Sequence, residues 1–242
     1  MGKSNGTGRR LYADSIVFVI GILTLLLFVI VEIKTHLMHA YRINALSRMI
    51  QALAACSVLY CGAYLHKRRT QSNTAVHLVF SIFFVLYLYL VLSFTLIDET
   101  MGRGAESIYQ LLSQGARTHY VSYFVNLIPF RSIYNVYIVG FIKGYVHIHY
   151  TALNLLGNIL VFMPLAFFLP LFFKKQRKWH VFLITAIISV VAIELMQFLL
   201  MVGSCDVDDL ILNAGGAMIM FGILEIPKIK RIAQKFSLHA WE

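Results

Sequence analysis

The sequence predicts an all-α polytopic membrane bundle of about six transmembrane helices, with both termini on the cytoplasmic side and a re-entrant or interfacial segment on the outer face. Three observations lead there. Of the 242 residues, 59% are hydrophobic and only 13% are charged, against about 25% charged in a soluble domain. Six apolar runs are each long enough to cross about 30 Å of hydrocarbon. The Lys and Arg residues cluster between alternate runs. With so few charges the apolar residues cannot all be buried in one water-soluble core, so they face lipid. Helices suit that solvent because each satisfies its own backbone hydrogen bonds.

The runs are residues 15–33, 46–65, 76–97, 151–173, 181–201 and 210–226. The first follows Arg9 and Arg10, as the apolar core of a signal peptide would. It is longer than such a core and no small-x-small cleavage site follows closely, so it reads as a retained span. Pro164 is expected to kink the fourth run. The sixth is the shortest, and Gly215, Gly216 and Gly222 are expected to give it close helix contacts. Three cysteines, Cys56, Cys61 and Cys205, are scattered and make no disulfide framework.

Orientation follows from the basic clusters. Lys3, Arg9 and Arg10 precede the first run, and Lys67, Arg68 and Arg69 follow the second. Lys174, Lys175, Arg177 and Lys178 follow the fourth, and Lys228, Lys230, Arg231 and Lys235 follow the sixth. These positions hold 14 of the 21 Lys and Arg, which puts them, and both termini, on the cytoplasmic side. The net charge of +10 would point to nucleic acid in a soluble protein. Here it is read as orientation and attraction to anionic lipid, with no nucleic-acid partner. The chain divides into residues 1–75, two helices and a loop; 76–226, a membrane core; and 227–242, a basic cytoplasmic tail.

Residues 98–150 are too long for a plain connector. They include an amphipathic turn near 106–114 and an aromatic, semi-apolar stretch over 120–140 that carries Asn126, Pro129, Arg131 and Asn135. This stretch is either an interfacial or re-entrant element or a folded loop covering the bundle.

Polar groups inside spans are costly, on the order of 3 kcal/mol for a charge at a helix centre, so they carry the information. Glu194 reads as the only carboxylate well inside a span, and Gln197 shares its helix face. Asn154 and Asn158 are spaced i, i+4 on the fourth run, as are Asp209 and Asn213 on the sixth. With the topology above, all three stripes lie in the outer half of the membrane and can meet in one cavity open to the outside. Just above them, Asp206, Asp208 and Asp209 place three carboxylates in four positions. One Asp suffices to cap a helix. Three repel one another and invite a shifted proton, a cation or an Arg partner, which makes Asp206, Asp208 and Asp209 candidate ligands for a divalent cation. Asp208 lies off the Asp209–Asn213 stripe, so Asp208→Asn is expected to be milder than Glu194→Gln or Asp209→Asn.

Arg131 is the natural counter-charge on the same side and also suits a lipid phosphate; the plain alternative is a snorkelling interfacial arginine. His147 and His149, with Asp206 or Asp208, could ligate a metal, although interfacial histidines fit the same pattern. The chain has no His-Glu-x-x-His zinc motif, no Gly-x-Ser-x-Gly elbow and no phosphate-cradling Gly-rich loop.

Taken in order, Asn126-Leu-Ile-Pro-Phe-Arg-Ser132, Asn154-Leu-Leu-Gly-Asn-Ile-Leu-Val-Phe-Met-Pro-Leu165, Glu194-Leu-Met-Gln197 and Asp206-Val-Asp-Asp-Leu-Ile-Leu-Asn213 with Gly216 resemble the VanZ-like family over about residues 76–226. The resemblance implies a four-span core in a bacterial cell membrane and an association with low-level resistance to teicoplanin-type lipoglycopeptides. It brings no settled reaction. It marks Arg131, Asn154, Asn158, Glu194, Gln197, Asp206, Asp209 and Asn213 as the shared site. Many relatives carry an Arg shortly before the Asp motif; here residues 201–205 have none, which shifts weight to Arg131.

Three readings of function follow. The first is a protein that binds or handles an amphiphilic lipid-linked or cell-wall precursor, with Asn126, Arg131, Asn154, Asn158, Gln197 and Asn213 lining the site. The second is a hydrolase or transferase on a lipid-linked glycan, with Glu194 as general acid and Asp206 or Asp209 as base or metal ligand. The third is a cation-coupled transporter with Glu194 in the ion path. No organic cofactor is expected.

Overall fold

The structure, a computed structural model, describes residues 4–38, 45–97, 114–140, 142–144 and 148–237. The helices are α1 (Ser4–Met38), α2 (Ala45–Thr70), α3 (Thr74–Leu92, continued by a π-helical turn Ser93–Ile97), α4 (Gln114–Phe124), α5 (Ile148–Val161), α6 (Leu165–Phe172), α7 (Trp179–Leu200), α8 (Val207–Glu225) and α9 (Pro227–Phe236). A π-helical segment covers Ile133–Gly140, and two short strands, β1 (Val125–Asn126) and β2 (Cys205–Asp206), pair in parallel.

The chain is an all-α membrane bundle. Among the described residues, five helical stretches are long and apolar enough to cross a membrane: Ser47–Thr70, Thr74–Leu96, Asn154–Phe172, Trp179–Leu200 and Val207–Glu225. The expected first span corresponds to Ile16–Glu32 inside α1, which is apolar but shorter than the others. The expected amphipathic turn near 106–114 lies outside the described residues, apart from Gln114 at the start of α4. So does His147, and so does the side chain of His149.

The described residues pack as two units, one up to Leu88 together with the final turn from Gln234, the other Tyr89–Ala233. In the first, α1 and α2 lie antiparallel and very close. A Cβ on Gly21 would sit 3.0 Å from the Leu59 nitrogen, and one on Gly62 would sit 3.0 Å from the Phe18 Cα, so each glycine admits the other helix's backbone. The same hairpin buries an ion pair, Arg48 Nη1 to Glu32 Oε2 at 3.3 Å, with the side chains 4% and 3% exposed. Glu194 is therefore not the only acid well inside the helices: Glu32 is a second, paired with Arg48 in the core of the hairpin. Tyr60 stacks on Phe236 with ring centroids 4.8 Å apart and donates its hydroxyl to the Phe236 carbonyl.

In the second unit the fourth apolar run is not one kinked helix but two. After Val161, three backbone bonds of the i to i−3 type (Met163 to Leu160, Leu165 to Phe162, Ala166 to Met163) tighten the chain through Pro164 before α6 begins. Helix α7 ends in a Schellman motif. Met201 turns left-handed (φ 51°), its N–H bonds to the Phe198 carbonyl, and the Val202 N–H bonds to the Gln197 carbonyl. The chain then doubles back through β2 into α8, whose cap is Asp206, accepting from the Asp208 N–H.

Of the three glycines expected at close contacts, only Gly216 makes one. A Cβ there would lie 2.8 Å from the Ile159 carbonyl carbon and 3.0 Å from its Cα, whereas Gly215 and Gly222 have open space. This crossing fixes the register of α5 against α8, and hence of Asn158 against Asp209 and Asn213. Gly216→Ala is expected to force the helices apart and cost at least the 1–3 kcal/mol typical of overpacking, while Gly215→Ala leaves stability unchanged or raised. Thermal melts of the two variants in detergent check this; equal melting temperatures would remove the close crossing.

Candidate functional site

The site is built where the loop 126–132 meets the start of α8. The parallel pairing of Val125 with Cys205 and Asn126 with Asp206 brings the two segments together. Asn126 forms an Asx turn, its Oδ1 accepting from the Ile128 N–H at 3.1 Å. Its Nδ2 reaches Asp206 Oδ1 at 2.9 Å. The Ser132 hydroxyl donates to the other Asp206 oxygen.

The three consecutive-looking carboxylates do not crowd; they diverge to three sets of donors. Asp206 takes the Asn126 amide, the Ser132 hydroxyl and the Asp208 N–H. Asp208 is fully buried and turns into the loop, where its carboxylate accepts the backbone N–H groups of Phe130, Ser132 (2.8 Å) and Ile133 (3.0 Å). The left-handed Phe130 (φ 64°) helps aim these N–H groups at one point, an anion nest filled by the chain's own acid. Asp209 turns the other way and accepts from Asn158 Nδ2. Asp208 is thus a clamp for the loop, its carboxylate taken up by three backbone N–H groups rather than turned to the other acids.

Among the described residues Arg131 has no acid to pair with: its side chain is exposed and makes no ion pair or hydrogen bond there, while its backbone N–H bonds to the Ile128 carbonyl at 3.3 Å. The clamped loop presents it beside the exposed side chains of Leu127, Ile128 and Phe130, of which Leu127 is 73% and Phe130 61% exposed.

Behind the loop the polar faces of three helices meet. Asn158 from α5, Glu194 and Gln197 from α7, and Asp209 and Asn213 from α8, with Thr95, line one small cavity of about 20 Å³, room for about one water molecule. Glu194 ties the cavity to the loop: its Oε2 accepts from the Asp206 N–H at 3.2 Å. Gln197 is buried and donates to the Thr95 carbonyl at 2.9 Å. Asn213 is 5% exposed and donates to the Asp209 carbonyl at 2.7 Å. Asn154 is exposed and stands outside the cavity, supporting Asn158 at 3.3 Å. Burial raises the Cys205 thiol above its usual range, and the carboxylates of Glu194, Asp206 and Asp209 push it further. Among the described residues, no group of three or more His, Cys, Asp or Glu could hold a metal.

Sequence reasoning missed Ser132, Thr95 and the backbone of 130–133. Ser132 closes the same motif as Arg131 and was within reach. The others act through main-chain atoms that a residue type does not reveal.

The family model for VanZ/LLP1 matches residues 84–228, more than half of the chain and the whole of this site. No curated protein and no solved structure matches.

Proposed function

Starting from a chain that belongs to the VanZ/LLP1 family, we propose that it works on the outer side of a bacterial cell membrane, where it binds an amphiphilic lipid-linked or cell-wall precursor and so lowers susceptibility to lipoglycopeptides such as teicoplanin. One observation carries this reading: the loop 126–132, held rigid by Asp206 and Asp208, offers an exposed arginine among exposed apolar side chains. A planar guanidinium matches a phosphate in two-point fashion, and the apolar flanks suit the first carbons of a lipid tail. The ligand class is therefore a phosphate-bearing amphiphile. Because the Arg131 side chain has no partner among the described residues, Arg131→Lys leaves the fold intact and weakens binding of a polyprenyl-phosphate-linked precursor by about tenfold, ~1.4 kcal/mol. Host resistance to teicoplanin falls with it. Unchanged binding and resistance in Arg131→Lys would reduce the residue to an interfacial anchor.

A hydrolase or transferase is the second reading. It is favoured by Glu194 and Asp209 sharing a cavity with room for about one water. Release of product from a labelled lipid-linked precursor by the purified protein separates it from binding alone.

A further inference from the structure

Helix α9 is built unlike the helices that span. Ile226 precedes Pro227 and is extended (φ −61°, ψ 125°), which ends α8. Pro227 then opens α9, a helix of 10 residues that carries Lys228, Lys230, Arg231 and Lys235. At 1.5 Å per residue it is about 15 Å long, half of the roughly 30 Å of hydrocarbon, so it does not cross a membrane. Its apolar residues nevertheless form one stripe: Ile229, Ile232, Ala233 and Phe236 are spaced i, i+3, i+4 and i+7, with the basic residues beside and behind them. The stripe is open. Ile232 is 59% exposed, and Phe236, although stacked on Tyr60, is 47% exposed. Lys230 is taken by Glu225 at 2.8 Å. Among the described residues no acid pairs with Lys228, Arg231 or Lys235, and all three are exposed.

An apolar stripe edged by cations, beginning two residues after a span, fits one surface. Water leaves the stripe exposed, and the hydrocarbon interior rejects the cations. The headgroup layer accepts both, because the stripe reaches the first acyl carbons while Lys and Arg stems carry their charges back to the phosphates. Charge then selects among lipids: four basic residues against the single Glu225 attract an anionic headgroup. We propose that α9 lies in the membrane surface at the end of α8 and binds anionic phospholipid, with Ile229, Ile232 and Phe236 at the acyl boundary and Lys228, Arg231 and Lys235 on the phosphates. Anchored in this way, α9 sets the depth of α8 in the membrane. It stands at the opposite end of α8 from the Asp206 turn, so the proposal does not rest on the amphiphile reading.

The test uses the full-length protein in lipid nanodiscs, where both membrane faces are open to solution. Ile232→Cys places a thiol on the stripe, and Arg231→Cys places one on the charged side. Reaction with a water-soluble maleimide is read site by site by mass spectrometry, so the native cysteines stay. In discs of mixed phosphatidylcholine and phosphatidylglycerol, position 232 reacts about tenfold more slowly than position 231. The gap narrows in phosphatidylcholine alone and at high salt, and it narrows in the mixed discs when Lys228→Gln and Lys235→Gln are added. Equal rates at the two positions in the mixed discs put the stripe in water. A gap of one size in both lipids means a cover of protein or apolar contact alone. A gap kept in the neutralised variant means that these charges select no lipid. Each of the three results overturns the proposal. If Ile232→Cys does not fold, the melting temperature in detergent decides: added phosphatidylglycerol raises it more than phosphatidylcholine does in the native chain, and less so in Lys228→Gln/Lys235→Gln. An equal rise in both proteins overturns the proposal. None of these results bears on the amphiphile reading, which is tested at Arg131.

Discussion

Asp208→Asn is expected to be the most damaging conservative change in the molecule. Asparagine has the size of aspartate but replaces one acceptor oxygen by an NH₂ donor and removes the charge. Here the carboxylate faces only donors, the N–H groups of Phe130, Ser132 and Ile133, in a fully buried position. Whichever way the amide is turned, at least one backbone N–H meets another N–H, and those that remain bonded lose a charged acceptor. Hydrogen bonds to charged groups are worth about 1.5–3 kcal/mol each, so the loss is on the order of 3 kcal/mol or more. That is a large share of the 5–15 kcal/mol that holds a typical protein folded. The melting temperature and the amount of protein accumulating in the membrane both fall, and the Arg131 loop becomes susceptible to protease. A variant that melts with the wild type would show that the loop does not depend on this acid.

The opposite pattern is expected one residue on and one helix back. Glu194→Gln keeps an oxygen to accept the Asp206 N–H, and Asp209→Asn keeps one to accept from Asn158. The shape of the cavity survives, so expression and melting temperature stay near those of the wild type. What is lost is negative charge at the cavity. Resistance of the host to teicoplanin is expected to drop to the level of cells without the protein in either variant. Resistance retained by both would end the assignment of the cavity as the working site. Protein lost from the membrane would make both acids structural, as Asp208 is.

The contrast among the three aspartates marks what a sequence can carry. The i, i+4 spacing of Asn154 with Asn158 and of Asp209 with Asn213, and the i, i+3 spacing of Glu194 with Gln197, already place these residues on helix faces, because helical geometry converts spacing into direction. Nothing in Asp206-Val-Asp-Asp says that the first acid caps the helix, the second enters a nest of backbone N–H groups and the third turns to Asn158. Those directions depend on partners 51 to 80 residues away, on α5 and in the loop that begins at Asn126. Arg131 shows the same: residue types suggest charge pairing, and Asp206 and Asp208 are met by amide, hydroxyl and backbone donors instead. Glu32 and Arg48 were legible as charges but not as a pair, since only the register of α1 on α2 joins them. Gly215, Gly216 and Gly222 look alike in one dimension, and the crossing of α5 on α8 selects just the middle one.

The Asp208 nest also sets an order of assembly. Its donors lie 75 to 78 residues before the acid that satisfies them. Chains emerge from the ribosome N-terminus first, so the loop 126–132 is made, and α5, α6 and α7 follow, before Asp208 exists. Until α8 enters, three backbone N–H groups wait for their acceptor and the arginine-bearing loop has no fixed shape. The site is therefore completed at the end of membrane insertion, by the helix that also brings Asp209, Asn213 and Gly216. A chain stalled before residue 206 would hold most of its spanning helices but lack the acid that clamps the loop 126–132.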